Sequence, residues 1–458
     1  MKKGLVLEGG GTKGAYQIGA YRALKDLGIQ FTGIAGTSIG ALNGALIVQG
    51  DFDAMEDIWV NYDYKSFMNI DEDTYERYKN LEMKAKNFHD VVELMNKARK
   101  NQGIDISPLR KLLEEKIDED KIRKSNIDFG ITTAYWDGKI FPKLLYTDDI
   151  PEGRLVDYLI ASASLPIFQL DKLDDKLYLD GMFSDNIPIN MLAQKGYDDI
   201  VVIRLVDDFL GRMIINRYQD LNLKVIVPSQ YLGGSLNKDK DHIETNIKLG
   251  YLDTMKAYKR YDGVNYFFNL DCKYNEDYCF NKICNLSKDT INDLCYLLNI
   301  KKDINRRTLM ENIIPKIIEV LDIDKSSTYK DIFYSIYERK LEENNIDVLN
   351  LYDFSKVVNN VSRRENMKKR TIGQVLRLSR VNLHLSLQDV SNKTAIEIPY
   401  IEALENDEFD LLPSPFYAQI YLKKLAWALG LDESILLTAF REGKELLFDE
   451  EILVDDEE

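Results

Sequence analysis

The chain has 458 residues and a formal net charge of −16, from 60 Lys and Arg against 76 Asp and Glu, with only 3 His. That length allows two to four domains and at least one full core, and a 45% hydrophobic, 30% charged composition is that of an ordinary globular protein. The acidic balance argues against general nucleic-acid binding and against electrostatic docking on an anionic membrane, and so few histidines leave little for multi-His metal sites or His-driven chemistry.

The first 50 residues alternate as an α/β unit. Residues 3–8 are a short apolar run ending in glycines, which predicts a buried strand. Ala15, Ile18, Tyr21, Ala23 and Leu24 share one face of a helix over 14–27, with Gly28 where a helix-ending glycine belongs. Residues 31–35 read as a second strand and 38–48 as a helix. Strand–helix–strand–helix order at this spacing favours a parallel sheet covered by helices. Residues 51–125 read as polar helices. Residues 128–135 and 139–146 read as a hairpin turning at Trp136-Asp137-Gly138-Lys139. A helix over 154–164, strands over 177–179, 199–205 and 222–227, and a helix over 241–258 follow. From residue 263 to 364 the pattern is helical, a region of unassigned role. The charged stretch 363–370 reads as a linker, residues 371–445 as a compact helical module, and 449–458 as an acidic, disordered tail. No apolar run reaches the ~20 residues of a spanning helix. The N-terminal run is shorter than a signal-peptide core, and four cysteines are too few for a disulfide scaffold. The chain therefore reads as cytoplasmic.

Two strand–helix junctions could carry chemistry. Gly9-Gly10-Gly11-Thr12-Lys13-Gly14 offers backbone N–H groups at a helix N-terminus, where negative charge is stabilised. It also fits G-x-G-x-x-G, but the second strand ends without the acid that would hold a ribose. Gly36-Thr37-Ser38-Ile39-Gly40 fits a nucleophile elbow, a sharp turn that exposes a serine hydroxyl. The α/β-hydrolase template places its elbow after more strands than precede Ser38.

A serine nucleophile needs a base. His89 lies in a polar helical stretch and reads as a surface residue. His384 lies in the C-terminal module. His242 is the one histidine of the α/β part after Ser38. The alternative is Asp180, at the end of Leu177-Tyr178-Leu179-Asp180-Gly181, on the strand edge where ligands of open α/β sheets bind. An aspartate is a weak base in water, and partial burial beside a hydroxyl would raise it. Asp-Gly is also an ordinary turn, so the residues alone leave the base open.

Together these motifs resemble the patatin-like phospholipase family over residues 1–262. The matching segments are Glu8–Gly14, Gly36–Gly40, Ala161-Ser162-Ala163-Ser164-Leu165-Pro166, and Asp180-Gly181 with Asn186 and Pro188. Weaker echoes are Ile106–Arg110 and Ile247–Tyr251. The resemblance implies a three-layer α/β/α fold with a mainly parallel central sheet, followed here by an all-α region and a small helix-turn-helix domain. It implies a histidine-free dyad, with Ser38 as nucleophile and Asp180 as base. Gly9, Gly10 and Gly11 would form the oxyanion hole, with the Gly10 and Gly11 N–H groups as donors, and Gly36 and Gly40 would frame the elbow. The implied substrate is a lipid ester and no cofactor or metal is needed. A catalytically silent scaffold on the same fold is the alternative, and a dinucleotide enzyme fits least.

The C-terminal module, residues 366–446, resembles the helix-turn-helix domain of the bacterial rod-shape protein RodZ. The matching residues are Pro399–Glu405, Phe409 with Leu412-Pro413, and Leu429-Gly430-Leu431-Asp432. A DNA reader carries basic or amide side chains on its second helix. Here Glu402, Glu405, Asp407, Glu408 and Asp410 would repel phosphate, so a protein partner is expected rather than nucleic acid, although 363–380 is basic. Cys272, Cys279, Cys284 and Cys295 fall within 24 residues. Only Cys279 and Cys284 approach zinc-ligand spacing, and no His lies among them, so free thiols are expected. With −16 overall, approach to a membrane's inner face would be peripheral, through apolar contact or a partner of the C-terminal module.

Overall fold

A computed structural model describes residues 2–61, 63–79, 103–169, 172–366, 368–443 and 446–448. His89 and the acidic tail lie outside the described residues. The chain forms two compact units, residues 1–338 with 342–352, and residues 339–341 with 353–458.

The first unit is built on an eight-stranded sheet. Its strands are β1 (Lys3–Leu7), β2 (Gly33–Thr37), β3 (Asp128–Trp136), β4 (Ile140–Tyr146), β5 (Lys172–Leu173), β6 (Lys176–Leu179), β7 (Asp199–Ile203) and β8 (Asn222–Ile226). Strands β3-β2-β1-β7-β8 run parallel in that order, and β4, β5 and β6 add antiparallel pairings. The period-2 pattern divides the side chains between two cores. Leu5, Leu7, Ile34, Val201 and Ile203 enter one, and Val6, Ala35, Ile200 and Val202 enter the other. Both faces are therefore covered, giving the expected three layers.

Helix α1 (Ala15–Asp26) ends as the sequence predicts. Gly28 has φ +72°, and the bonds Gly28 N–H to Lys25 O and Ile29 N–H to Leu24 O close its last turn. Helix α2 is Ile39–Val48. Strand β2 begins and ends two residues later than expected. Gly36 and Thr37 extend it, and Ser38 follows it directly with no intervening loop.

The decisive register is on β3. One edge pairs with β4 over 130–136. The opposite edge is shared end to end by two strands, parallel β2 with Thr37 opposite Thr132, and antiparallel β6 with Leu179 opposite Ala134. β2 runs toward β6 and β6 runs toward β2. Ser38 and Asp180, the next residue of each, therefore meet at the level of Thr133, whose hydroxyl donates to Leu179 O at 2.9 Å.

After β7 comes the short helix α3 (Phe209–Ile215), and after β8 the long helix α4 (Lys240–Ala257). α1 and α4 cross almost backbone to backbone. A Cβ on Gly19 would lie 1.7 Å from Ile247 O, and one on Gly250 2.0 Å from Tyr16 O. The Tyr16 hydroxyl donates to Asp253 Oδ2 at 3.0 Å across the crossing. The stretch after residue 262, expected to be helical, is so except for a small sheet in which Phe267–Asn269 pairs with Tyr261–Asp262 and Leu351–Tyr352. Phe267 and Phe268 are fully buried, but so short a run gives no period to read. The four cysteines are free, with Cys279 and Cys295 buried, and burial pushes the Cys279 thiol up to about 11.

The second unit holds α5 (Ile372–Asn382), α6 (Leu387–Thr394) and α7 (Ile398–Glu405), the last two joined by a tight turn at Ala395, φ +52°. Two expectations change here. The charged stretch 363–370 is not a linker. It is the end of helix Phe354–Asn366 and the strand Lys368–Arg370, which pairs with Leu446–Phe448. The acidic face is also smaller than the sequence suggests. Glu405 is buried and receives two bonds from the Arg380 guanidinium at 2.6 and 2.7 Å. Asp407 accepts from the Thr371 hydroxyl and the Gly373 N–H at the start of α5. Glu402, Glu408 and Asp410 stay exposed.

The α1–α4 crossing generates a stability prediction. Gly19→Ala should cost about 3 kcal/mol, because a backbone carbonyl would have to move, whereas Gly138→Ala, at a turn with open space around it, should cost about 1 kcal/mol. Denaturant midpoints of the two variants check this, and equal losses would contradict it.

Candidate active site

Ser38 is the residue before α2, with φ 54° and ψ −126°. That conformation is strained for a residue with a side chain, and such strain persists only where the surroundings enforce it. Two close approaches do so. A Cβ on Gly36 would sit 2.3 Å from Gly40 O, and a Cβ on Gly40 2.3 Å from Leu7 O. Serine commonly caps a helix with its hydroxyl. Here the hydroxyl makes no cap bond and donates instead to Asp180 Oδ2 at 2.7 Å. Ser38 is 8% exposed and Asp180 1%.

Asp180 is held from its other side. Its Oδ1 accepts the Met182 N–H at 2.8 Å, and its own N–H donates to Ser164 O at 2.8 Å. The Ser38 N–H donates to Ser162 Oγ at 2.9 Å, and that hydroxyl donates to Thr132 O at 2.7 Å. The segment Ala161–Ser164 thus clamps the backbone of both partners. Below them, the Thr37 hydroxyl donates to the Asp185 carbonyl at 2.7 Å, and the Thr132 hydroxyl lies 2.6 Å from the Thr37 hydroxyl and 3.2 Å from the same carbonyl, with its one proton to share between them. A Cβ on Gly181 would meet Thr132 O at 2.4 Å, so Asp-Gly here is a fitted contact and more than a turn.

The glycine loop lies beside this pair. A Cβ on Gly9 would lie 3.2 Å from Ser38 Cβ and 2.6 Å from Asn186 Oδ1. Gly9 N–H points to Asn186 O at 3.4 Å, while Asn186 Nδ2 donates to Gly9 O at 3.2 Å. Among the described residues no acceptor faces the Gly10 or Gly11 N–H. Gly11 takes φ +58°, and a Cβ there would meet Ser235 O at 2.1 Å. Thr12 ties the loop to that segment, its N–H donating to Ser235 O and its hydroxyl to Gly234 O.

Behind the loop is a buried ion pair that the sequence reading did not single out. Arg204 Nε donates to Glu8 Oε2 at 2.9 Å, with the two side chains 1% and 5% exposed. Burial raises the Glu8 carboxyl, and the guanidinium and the Leu205 N–H pull it back down. The signal was present as an arginine closing the apolar run Ile200–Ile203. Ser162, Thr132 and the 232–237 segment were likewise unassigned.

The histidines are elsewhere. His242 Nε2 bonds Leu232 O at 2.8 Å near the start of α4, and His384 belongs to the second unit. Among the described residues no group of three or more His, Cys, Asp or Glu is placed to hold a metal ion.

The space over Ser38 is apolar. It encloses about 60 Å³ between Gly11, Trp59, Phe67, Met68, Phe168 and Leu236. Trp59 is fixed there by its Nε1–H, which donates to Asn43 Oδ1 at 3.0 Å.

Residues 5–193 match the family model of patatin-like phospholipases, and residues 375–436 that of a helix-turn-helix domain. Cytoskeleton protein RodZ of Streptococcus pneumoniae is 50% identical over 93 residues, 20% of this chain and 33% of that protein. Lysophospholipase nte1 of Aspergillus terreus is 58% identical over 43 residues, 9% of this chain and 3% of that protein. The chain thus spans a third or less of the length of these relatives. Among solved structures, VipD from Legionella pneumophila aligns over 97% of this chain and 88% of its own, at 14% identity and a TM-score of 0.36. The effector ExoU aligns over 96% of this chain and 85% of its own, at 13% identity and a TM-score of 0.31.

Asp185 provides a pH-dependent check of the loop under the Ser38–Asp180 pair. Burial holds its carboxyl at about 6, above the ordinary 3.8. The folded chain then keeps a proton that the unfolded chain releases, so rising pH lowers stability between about 4 and 6, and the full penalty stands above about 6. Asp185→Asn should therefore stabilise the protein by about 1–3 kcal/mol at about pH 7.5 and by little at about pH 4. Thermal melts at the two pH values test this, and equal shifts would contradict it. By sequence model, residues 5–193 match the patatin-like phospholipase family and residues 375–436 a helix-turn-helix domain.

Proposed function

We propose that the chain is a serine acyl hydrolase acting on lipid esters, with Ser38 as nucleophile and Asp180 as base. The observation that carries this is the 2.7 Å bond from Ser38 Oγ to Asp180 Oδ2, made at a strained elbow under an apolar cleft. The carboxylate accepts the hydroxyl proton as Oγ attacks the ester carbonyl carbon. Negative charge develops on the carbonyl oxygen, and the Gly10 and Gly11 N–H groups are the donors left free to receive it. Each such donor is worth about 2.7–4 kcal/mol in the transition state. Gly9 serves by lacking a side chain, which lets the loop approach Ser38, and Gly36 and Gly40 do the same for the elbow. The tetrahedral species collapses, the ester C–O bond breaks, and Asp180 returns its proton to the leaving alcohol. Water then attacks the acyl-serine, giving its proton to Asp180, and the fatty acid leaves as Ser38 is reprotonated. No histidine, metal or cofactor enters any step.

The lining residues favour an acyl group over a sugar or peptide. A cleft of about 60 Å³ is well below the roughly 300–1,000 Å³ of a ligand site. Substrate must therefore displace side chains such as Phe67, Met68 and Leu236.

The second unit is a protein-contact module in this reading. Its helix α7 exposes Glu402 and carries no basic residue, so a DNA-reading role lacks the side chains it needs. The protein works in the cytoplasm, meeting lipid peripherally. The free cysteines suit a reducing compartment, and no helix among the described residues is long and apolar enough to cross a membrane.

Ser38→Ala should reduce hydrolysis of p-nitrophenyl butyrate to background, and Asp180→Asn should reduce it by at least about 10²-fold, with melting temperatures near that of the parent. Unchanged turnover in Ser38→Ala would contradict the assignment.

A further inference from the structure

Helix α3 presents an apolar tip that the fold does not use. Phe209 is 77% exposed, Leu210 62% and Met213 43%, and Val206 just before them is 39% exposed. These positions share the outward face, while Ile214 and Ile215 pack inward against the sheet. The tip follows β7, whose carboxyl end lies on the same edge of the sheet as Ser38. β7 is two strands from β2, a separation of about 10 Å. A groove of about 410 Å³, lined by Lys13, Leu205, Val206 and Tyr231 among others, runs from the tip to the glycine loop. Tyr231 is itself 77% exposed.

The tip is rigidly mounted on the site. The Arg204 guanidinium that holds Glu8 also donates from Nη2 to Asp208 Oδ1 at 2.9 Å and to Val206 O at 2.7 Å. Asp208 Oδ1 in turn accepts the Gly211 N–H at 2.9 Å. A Cβ on Gly211 would lie 1.9 Å from Arg204 Nη2, so the helix sits directly on the guanidinium. One buried side chain thus fixes both the loop beside Ser38 and the apolar helix.

We propose that Val206, Phe209, Leu210 and Met213 insert into a zwitterionic lipid surface and so hold Ser38 at the bilayer. This rests on the acyl-hydrolase reading for its purpose but not for its test. Charge selects the occupant. Residues 206–217 hold two acids, Asp207 and Asp208, and two arginines, Arg212 and Arg217, for a net charge of zero in a chain of −16. Asp207 is paired to Arg212 at 2.8 and 2.9 Å, and Asp208 to Arg204. A neutral apolar tip on an acidic body suits a neutral bilayer. It is also small for a protein partner, since a stable interface takes about 800 Å² and 20–30 residues from each side. Inserting a few large apolar side chains is enough for reversible membrane binding.

The test uses the full chain with Ser38→Ala, so that lipid is not consumed, and vesicles of dioleoyl-phosphatidylcholine. The chain should float with the vesicles, and its affinity should change by less than about twofold between about 0.15 and 0.5 M salt. The triple variant Phe209→Ser, Leu210→Ser, Met213→Ser should bind at least about tenfold more weakly. Phe209→Trp should add fluorescence that shifts to the blue when vesicles are present. Absence of binding, equal binding by the triple variant, or no shift from Phe209→Trp would overturn the proposal. A parent chain that is dimeric where the triple variant is monomeric would also overturn it, assigning the tip to a second copy. Hydrolysis of a soluble ester by the unsubstituted chain reports on the dyad alone, so failure of the surface and failure of the dyad are distinguishable.

Discussion

The site depends on one edge of β3. That edge accepts β2 from one direction and β6 from the other, leaving only Thr133 between their pairings. Each strand is thereby forced to deliver its next residue to the same place. Strand register is cooperative, since a slip by one residue would turn every side chain of β2 or β6 to the other face. The 2.7 Å contact between Ser38 and Asp180 is therefore enforced by ladder bonds and buried side chains along both strands. Neither residue has to find the other by side-chain flexibility. This is how a strained φ at Ser38 and a 1% exposed carboxylate can coexist in a stable fold. The cost at the elbow, of order 1–3 kcal/mol, is offset by packing elsewhere in the sheet.

The second constraint is the buried pair of Glu8 and Arg204. Burying an ion pair gains little stability over apolar packing, and breaking one is expensive because the partner is left charged in the interior. What the pair supplies here is position. Glu8 immediately precedes the glycine loop, and Arg204 immediately follows β7. Their bond sets the height of the loop relative to Ser38. The carbonyl of Glu8 is fixed from the other side by the Gln17 amide at 2.7 Å. Backbone N–H groups aimed at a developing charge help only if they need no reorganisation when it forms, and this double anchoring is what the proposed oxyanion role of the loop requires.

Much of this was legible in the sequence because it is local. Glycines flanking a serine, a glycine run after an apolar strand, and an Asp-Gly after another are patterns within a few residues, and each marks a close backbone approach in the structure. What escaped is non-local. No spacing reveals that β2 and β6 share an edge, so the residues alone left His242 and Asp180 both open as the base. The two-residue displacement of β2 arose because Gly36 and Thr37 look like a turn and pair as a strand. The acidic residues at the end of α7 and just after it show the opposite error. Glu405 and Asp407 read as solvated charge, but one neutralises Arg380 and the other caps α5, and a linear sequence does not display either partner.

The central claim is that Ser38 is a reactive nucleophile because of where the two strands place it. Its most direct measurement is covalent labelling of the full chain with a fluorophosphonate, followed by peptide mass spectrometry. The account predicts a single adduct on the peptide carrying Ser38, absent from Ser38→Ala. No adduct on the folded chain, or an adduct of equal yield after Ser38→Ala, would contradict it.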